Sequence, residues 1–124
     1  MGDWSFKPWG TDEAADWFAR FWKGKDISLL VQEIEGFDPR AERYERLRAA
    51  AYLLQTLGIA YVWPADQLSR LRPLLERAIA ILENFIAPPG NEWGFLDMWG
   101  NDPAVIQEVK DQIAALKARR DDLA

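Results

Sequence analysis

Carboxylates are the main side chains of this 124-residue chain that could do chemistry, because it contains no histidine and no cysteine. Those absences exclude histidine general bases, serine–histidine–aspartate triads, cysteine nucleophiles and thiolate zinc sites. Asp12 and Asp16 are four residues apart, so on a helix they would share one face and could act as acid and base or bind a hard cation. In the simpler interpretation Asp12 stabilises a helix start and Asp16 makes a local contact. We therefore predict no catalytic residue, no metal site and no cofactor.

The strongest basic cluster lies between Arg40 and Arg48, where arginines alternate with glutamates. Glu42 and Arg46 have the spacing of an ion pair along one helix face. Because acids nearly balance bases, we interpret this segment as an exposed, salt-bridged helix face. A site for an anion or for a partner protein is the alternative.

A third group of candidate residues lies between the last two predicted helices, in a segment that combines acids with tryptophan. Tryptophan is enriched at the energetic centres of protein interfaces, and exposed acids complement a basic partner. Packing of the tryptophans over the core is the alternative explanation. We predict that the partner-binding residues are Glu92, Trp93, Asp97, Trp99 and Asp102.

The elements that must position these residues are predicted to be helices. Apolar residues recur at helical spacing in five stretches, and no stretch alternates as a strand does. Helix-start signals precede these stretches, and glycine or proline follows several of them. The fold class is therefore all-α, a compact bundle of about five helices with an irregular, tryptophan-rich opening. The predicted starts are at Thr11, Asp26, Asp38–Pro39, Asp66 and Asp102–Pro103.

Two prolines and one loop subdivide the later part of the chain. The apolar run from Ala49 to Trp63 is predicted to be one buried helix that Pro64 ends. Pro73 predicts a kink or a new start in the next helix. Residues 87–102 are predicted to form a loop with a short helical turn around Phe95.

Composition limits the possible functions further. The length suits one domain, residues 1–124, and 49% hydrophobic residues can build a core. The net charge of −5 lacks the basic footprint of a nucleic-acid binder. The longest apolar run is shorter than the about 20 residues that cross a bilayer, and residues 1–22 lack the pattern of a secretory signal. We expect a cytoplasmic protein that binds neither nucleic acid nor membrane.

The opening, MGDWSFKPWGTDEAADW, resembles that of a bacterial family of small helical domains of unknown function, M-G-x-W-G-x-G-x-F-x-N-D-x-A-x-D-W. Without gaps, the residues that match are Gly2, Trp4, Asp12, Ala14, Asp16 and Trp17. Ser5 and Lys7 replace glycines, Trp9 replaces phenylalanine and Thr11 replaces asparagine. The rest of the chain is similar more loosely. This resemblance implies no catalytic residues, and it implies that Trp4 and Trp9 fold back over the first helix.

Three hypotheses about function follow. Domains of that family are similar in size and acidity to immunity proteins of bacterial toxin systems, so the first is an immunity protein that occludes the active site of a cognate toxin. The second is a stand-alone protein-binding domain or a homodimer. The third, ranked last, is an enzyme that uses only carboxylates, or a metal site at Asp12 and Asp16.

Overall fold

The computed structural model describes residues 5–24 and 27–123, without the side chain of Trp22. The predicted cap Asp26 and the predicted packing of Trp4 lie outside the described residues. The fold is all-α, as predicted, and the described residues form five longer helices and one short one. They are α1 (Asp12–Gly24), α2 (Ser28–Glu35), α3 (Tyr44–Leu57), α4 (Leu68–Ile86), α5 (Phe95–Met98) and α6 (Pro103–Asp121).

Two of the predicted helix starts are confirmed by side-chain caps. Thr11 Oγ1 accepts a hydrogen bond from the backbone N–H of Ala14 at 3.0 Å, at the start of α1. Asp102 Oδ1 accepts one from the N–H of Ala104 at 2.8 Å, at the start of α6. Each cap satisfies a backbone donor that the first turn of a helix leaves without a partner.

The predicted start of the third helix at Pro39 is wrong. Asp38 does accept a hydrogen bond from Arg40 N at 3.0 Å, but it caps only a short 3₁₀ turn, Pro39–Ala41. Glu42 then adopts a left-handed conformation with φ of 56°, which ends the turn. Because a helix cannot continue through that conformation, α3 begins at Tyr44.

The prediction of one buried helix from Ala49 to Trp63 is also wrong in its last part. The helix ends at Leu57, and the chain turns outward. Tyr61 is fully exposed and Val62 is more than half exposed, whereas Trp63 returns to the core. This hydrophobic run is therefore not buried along its whole length, because residues 60–62 are exposed.

Helix α4 begins after a 3₁₀ turn, Ala65–Gln67, and passes through Pro73 without a new start. Proline removes the hydrogen bond to the carbonyl four residues earlier, which here belongs to Ser69. Ser69 and Pro73 are both exposed. Water can therefore take the place of the missing donor, and the helix tolerates the proline.

Helix α3 lies at the centre and contacts α1, α2, α4 and α6. Arg48 bonds to Gln112, and Arg119 Nε donates to the carbonyl of Gln55 at 2.6 Å, so α3 and α6 run in the same direction. The ring of Tyr44 lies 5.2 Å from that of Phe85, which places the end of α4 beside the start of α3. One end of the bundle therefore collects the start of α3, the end of α4 and the segment that leads to α6. We call it the loop end.

The prediction that the Arg40–Arg48 segment is an exposed face is wrong at Glu45, which is buried, and at Arg48, which is fully buried. Arg48 Nε donates to Gln112 Oε1 at 2.9 Å, and Nη2 donates to the carbonyl of Phe6 at 2.7 Å. Gln112 Nε2 donates in return to the Arg48 carbonyl at 3.0 Å. The third nitrogen, Nη1, lies 3.7 Å from Glu45 Oε1, an ion pair too long for a close hydrogen bond.

Burial lowers the pKa of the Arg48 guanidinium, and the charges of Glu45 and Glu108 oppose that shift. An arginine remains charged in proteins even so, so the structure holds a buried cation. The ring of Phe95 lies 6.0 Å from its Cζ and adds a cation–π contact.

The predicted ion pair between Glu42 and Arg46 is replaced by a contact with α1. The backbone N–H of Arg46 donates to Glu13 Oε2 at 3.2 Å, and Arg46 Nε lies 3.9 Å from the same oxygen. Glu42 precedes α3 in its left-handed conformation, so the spacing of an ion pair along one helix does not apply to it.

One hydrophobic core connects the helices, and Trp17 is buried in it. No helix in the described part of the chain has both the length and the apolar character needed to cross a bilayer.

Replacement of Arg48 by alanine should destabilise the fold strongly. The carbonyl of Phe6, the side chain of Gln112 and the carboxylate of Glu45 would each lose a cationic partner in a buried place. We expect the free energy of unfolding, measured by urea denaturation, to fall by about 3–5 kcal/mol. Arg40→Ala is the matched control, because the Arg40 side chain is 82% exposed and its loss should cost less than about 1 kcal/mol. Equal effects of the two substitutions would contradict the structural role of Arg48.

Candidate functional site

The hydroxyl group of Tyr44 anchors the segment 87–102 to the loop end. It accepts a hydrogen bond from the backbone N–H of Gly94 at 2.8 Å. Its own proton can be donated to the carbonyl of Pro39, at 2.9 Å, or to that of Glu92, at 3.1 Å. A single buried hydroxyl thus joins the turn before α3 to the middle of this segment, which we call the acidic loop.

A group of aromatic rings supports the acidic loop from below. The rings of Phe85 and Phe95 stack with their centroids 4.7 Å apart. The ring of Trp93 lies 5.6 Å from that of Phe37 and 6.3 Å from that of Phe85. Aromatic pairs at such distances stabilise a fold by more than the burial of their apolar surface alone. The loop backbone therefore rests on the core.

The five side chains predicted to bind a partner differ in exposure. Glu92 and Asp97 are exposed, whereas Trp93, Trp99 and Asp102 are partly buried. Asp102 also serves as the cap of α6 through its bond to Ala104. Its carboxylate is thus already engaged on one side.

An open groove of about 550 Å³ runs along the acidic loop. Of the five predicted residues, the groove brings together Trp93 and Asp97, while Glu92, Trp99 and Asp102 are not part of its wall. The remaining wall consists of prolines, amides, a glycine and one leucine. These are Pro88, Pro89, Gly90, Asn91, Leu96 and Asn101.

Trp99 joins the acidic loop to the N-terminal segment. Its ring meets that of Phe6 edge to face, with centroids 5.6 Å apart. Its indole Nε1 is buried and has no hydrogen-bond partner among the described residues. Because Arg48 holds the carbonyl of Phe6, this contact links the loop to the buried guanidinium.

Backbone conformation fixes where the loop ends. Gly100 and Asn101 both have left-handed conformations, with φ of 62° and 56°. Glycine adopts this conformation without strain, and asparagine tolerates it better than most residues do. The pair reverses the chain after α5 and brings Asn101 into the wall of the groove.

The chemistry that this arrangement offers is recognition of positive charge and of hydrogen-bond donors. Residues 87–102 contain three acids and no basic residue. Asp97 makes no ion pair with any described residue, and it lines the groove beside two asparagines. A basic, hydrogen-bond-donating surface would complement it.

The carboxylates of α1 do not form a comparable site. Asp12 and Asp16 are both exposed, and Asp16 lines a cleft together with two arginines, Arg20 and Arg46. In residues 5–24 and 27–123 no group of three or more acidic side chains could hold a metal ion.

Trp9 is an exposed aromatic residue that the sequence does not predict as a site, since the resemblance implies only that it packs over α1. It is 44% exposed, and its ring lies 5.1 Å from that of Tyr52. The signal was its position between Pro8 and Gly10, where a turn carries side chains at the surface.

Removal of the Tyr44 hydroxyl should loosen the acidic loop. Tyr44→Phe leaves the N–H of Gly94 without its acceptor and the carbonyls of Pro39 and Glu92 without their shared donor, so we expect a loss of about 1–3 kcal/mol in urea unfolding. Amide hydrogen exchange at Gly94 should also accelerate. Tyr61→Phe is the control, because that ring is fully exposed and its hydroxyl contacts solvent. Unchanged exchange at Gly94 in Tyr44→Phe would refute the anchoring role.

Comparison with protein-family models, curated proteins and solved structures finds no match to this chain. The resemblance of the opening residues to a bacterial family thus stays a prediction.

Proposed function

We propose that this protein is an immunity protein that binds a cognate bacterial toxin in the cytoplasm and occludes its active site. The observation that carries the proposal is the acidic loop, which is anchored from beneath by Tyr44 and presents Asp97 without a cationic partner among the described residues. An anchored loop loses little conformational entropy on binding, which favours affinity.

The negative charge of the chain supports the same proposal. The chain has a net charge of −5, and its acidic loop has no basic residue. Toxins that act on nucleic acids or on other anions need basic clefts, and an acidic surface would attract and cover such a cleft. Neutralisation would then need no catalytic group on this chain, only steric cover and electrostatic complementarity.

Neutralisation can be tested by co-expression with the products of the neighbouring genes. We expect one product to be toxic alone, harmless together with this chain, and co-purified with it. Asp97→Lys should weaken the complex at least about tenfold, because it sets a like charge against the basic partner. Asp66→Lys is the control, since Asp66 is also exposed but lies before α4, away from the loop.

The proposal fails if no neighbouring product is toxic and none binds. The acidic loop would be the wrong binding surface if Asp66→Lys weakened the complex as much as Asp97→Lys does.

A second candidate is a homodimer, favoured by apolar residues exposed between α3 and α4. Tyr61, Val62 and Leu68 are all exposed. A dimer that uses them should appear in sedimentation velocity and should dissociate when Tyr61 and Val62 are both replaced by serine. A monomer at high protein concentration would exclude this candidate.

A further inference from the structure

Trp9 is presented at the surface by a tight turn of the N-terminal segment. The N–H of Ser5 donates to the carbonyl of Gly10 at 3.1 Å, and the N–H of Gly10 donates to that of Lys7 at 2.9 Å. A side chain at position 10 would lie 2.6 Å from the Ser5 carbonyl oxygen, so the turn requires glycine there. The indole of Trp9 is therefore held in place although it is 44% exposed.

Beside Trp9 lies a pocket of about 190 Å³ between the N-terminal segment, α3 and α6. Trp9 and Tyr52 form one side of it, with their ring centroids 5.1 Å apart. Glu108 and Asp111 of α6 contribute the acidic side. The volume corresponds to about six water molecules, which is room for the end of one side chain.

The two carboxylates of the pocket differ in their partners. Glu108 is neutralised by Lys7, whose Nζ lies 2.9 Å from Glu108 Oε2. Among the described residues, Asp111 accepts a neutral hydrogen bond from Gln107 Nε2 at 2.9 Å and makes no ion pair. An uncompensated negative charge thus lies in the same pocket as an exposed tryptophan.

We propose that this pocket binds the guanidinium group of an arginine side chain that a partner protein inserts. The planar guanidinium stacks on the indole face of Trp9, while its N–H groups donate to Asp111. The ammonium group of lysine is a point charge with a tighter hydration shell, so it gains less from a flat aromatic wall. The fixed turn around Trp9 means that the aromatic side of the pocket exists before the ligand arrives.

The position of the pocket allows one partner to contact both this site and the acidic loop. Phe6 touches Trp99 of the loop, and Lys7, the next residue, bonds to Glu108 in the pocket. The arginine site nevertheless does not rest on the proposed immunity function, since its geometry involves neither the groove nor Asp97.

Titrations followed by ¹⁵N–¹H NMR test the site with small probes. N-acetyl-arginine amide should cause saturable shifts at the Trp9 indole N–H and at the Asp111 amide. N-acetyl-citrulline amide, which has nearly the same shape without the charge, should cause none there. The Kd of N-acetyl-lysine amide should be at least about threefold higher than that of the arginine probe.

Variants separate the two halves of the site. Asp111→Asn and Trp9→Ala should each raise the Kd of the arginine probe about threefold to fivefold. Asp66→Asn should leave it unchanged. Asp111 is exposed, so Asp111→Asn should keep the dispersion of the native spectrum.

Three results would overturn the proposal: equal shifts with the citrulline probe, lysine binding as tightly as arginine, or an unchanged Kd in Asp111→Asn. Arginine-induced shifts confined to residues 87–102 would place the site in the acidic loop and would also overturn it. Because none of these measurements uses a toxin, their failure is distinguishable from failure of the immunity proposal.

Discussion

The buried guanidinium of Arg48 is the contact on which the loop end depends. It joins residues 42 positions earlier and 64 positions later in the chain, Phe6 and Gln112. A buried charge is costly unless hydrogen bonds and countercharges compensate for it. Here its bonds come from two other segments, so the charge is tolerated only when the N-terminal segment and α6 are both in place. Arg48 thus connects the N-terminal segment and α6 to α3.

The two candidate binding surfaces, the acidic loop and the pocket beside Trp9, both depend on buried polar groups of α3. Tyr44 and Arg48 are one helical turn apart on α3, and the ring of Phe95 lies 5.9 Å from the ring of Tyr44 and 6.0 Å from Arg48 Cζ. Tyr44 holds the acidic loop, whereas Arg48 holds the segment that presents Trp9. The exposed acids and the exposed tryptophan are therefore positioned by buried polar groups, which is the usual way to combine a stable core with a preorganised surface.

Local features of the fold were predictable from the sequence, and long-range ones were not. The caps at Thr11 and Asp102 depend on residues within three positions, so their signals were reliable. Asp38–Pro39 has the same signal and forms the same cap, but α3 begins only at Tyr44, because Glu42 has a left-handed backbone conformation. No local sequence pattern predicts a left-handed conformation at a glutamate.

The burial of Arg48 shows the same limit more clearly. Arg48 follows the charged residues Glu45 and Arg46, and its partners Phe6 and Gln112 are known only once the helices pack. The candidate loop was located from its composition, but composition could not tell that Glu92 and Asp97 face solvent while Trp93 and Trp99 turn inward. Side-chain direction in a loop depends on anchors such as Tyr44, which lie elsewhere in the chain.

Hydrogen–deuterium exchange of this protein, free and bound to the proposed cognate toxin, tests the central proposal most directly, namely that the acidic loop is the binding surface. Exchange should slow on binding across residues 90–101 and should stay unchanged across residues 58–68, at the opposite end of α4. Protection confined to residues 58–68, or none across residues 90–101, would contradict it.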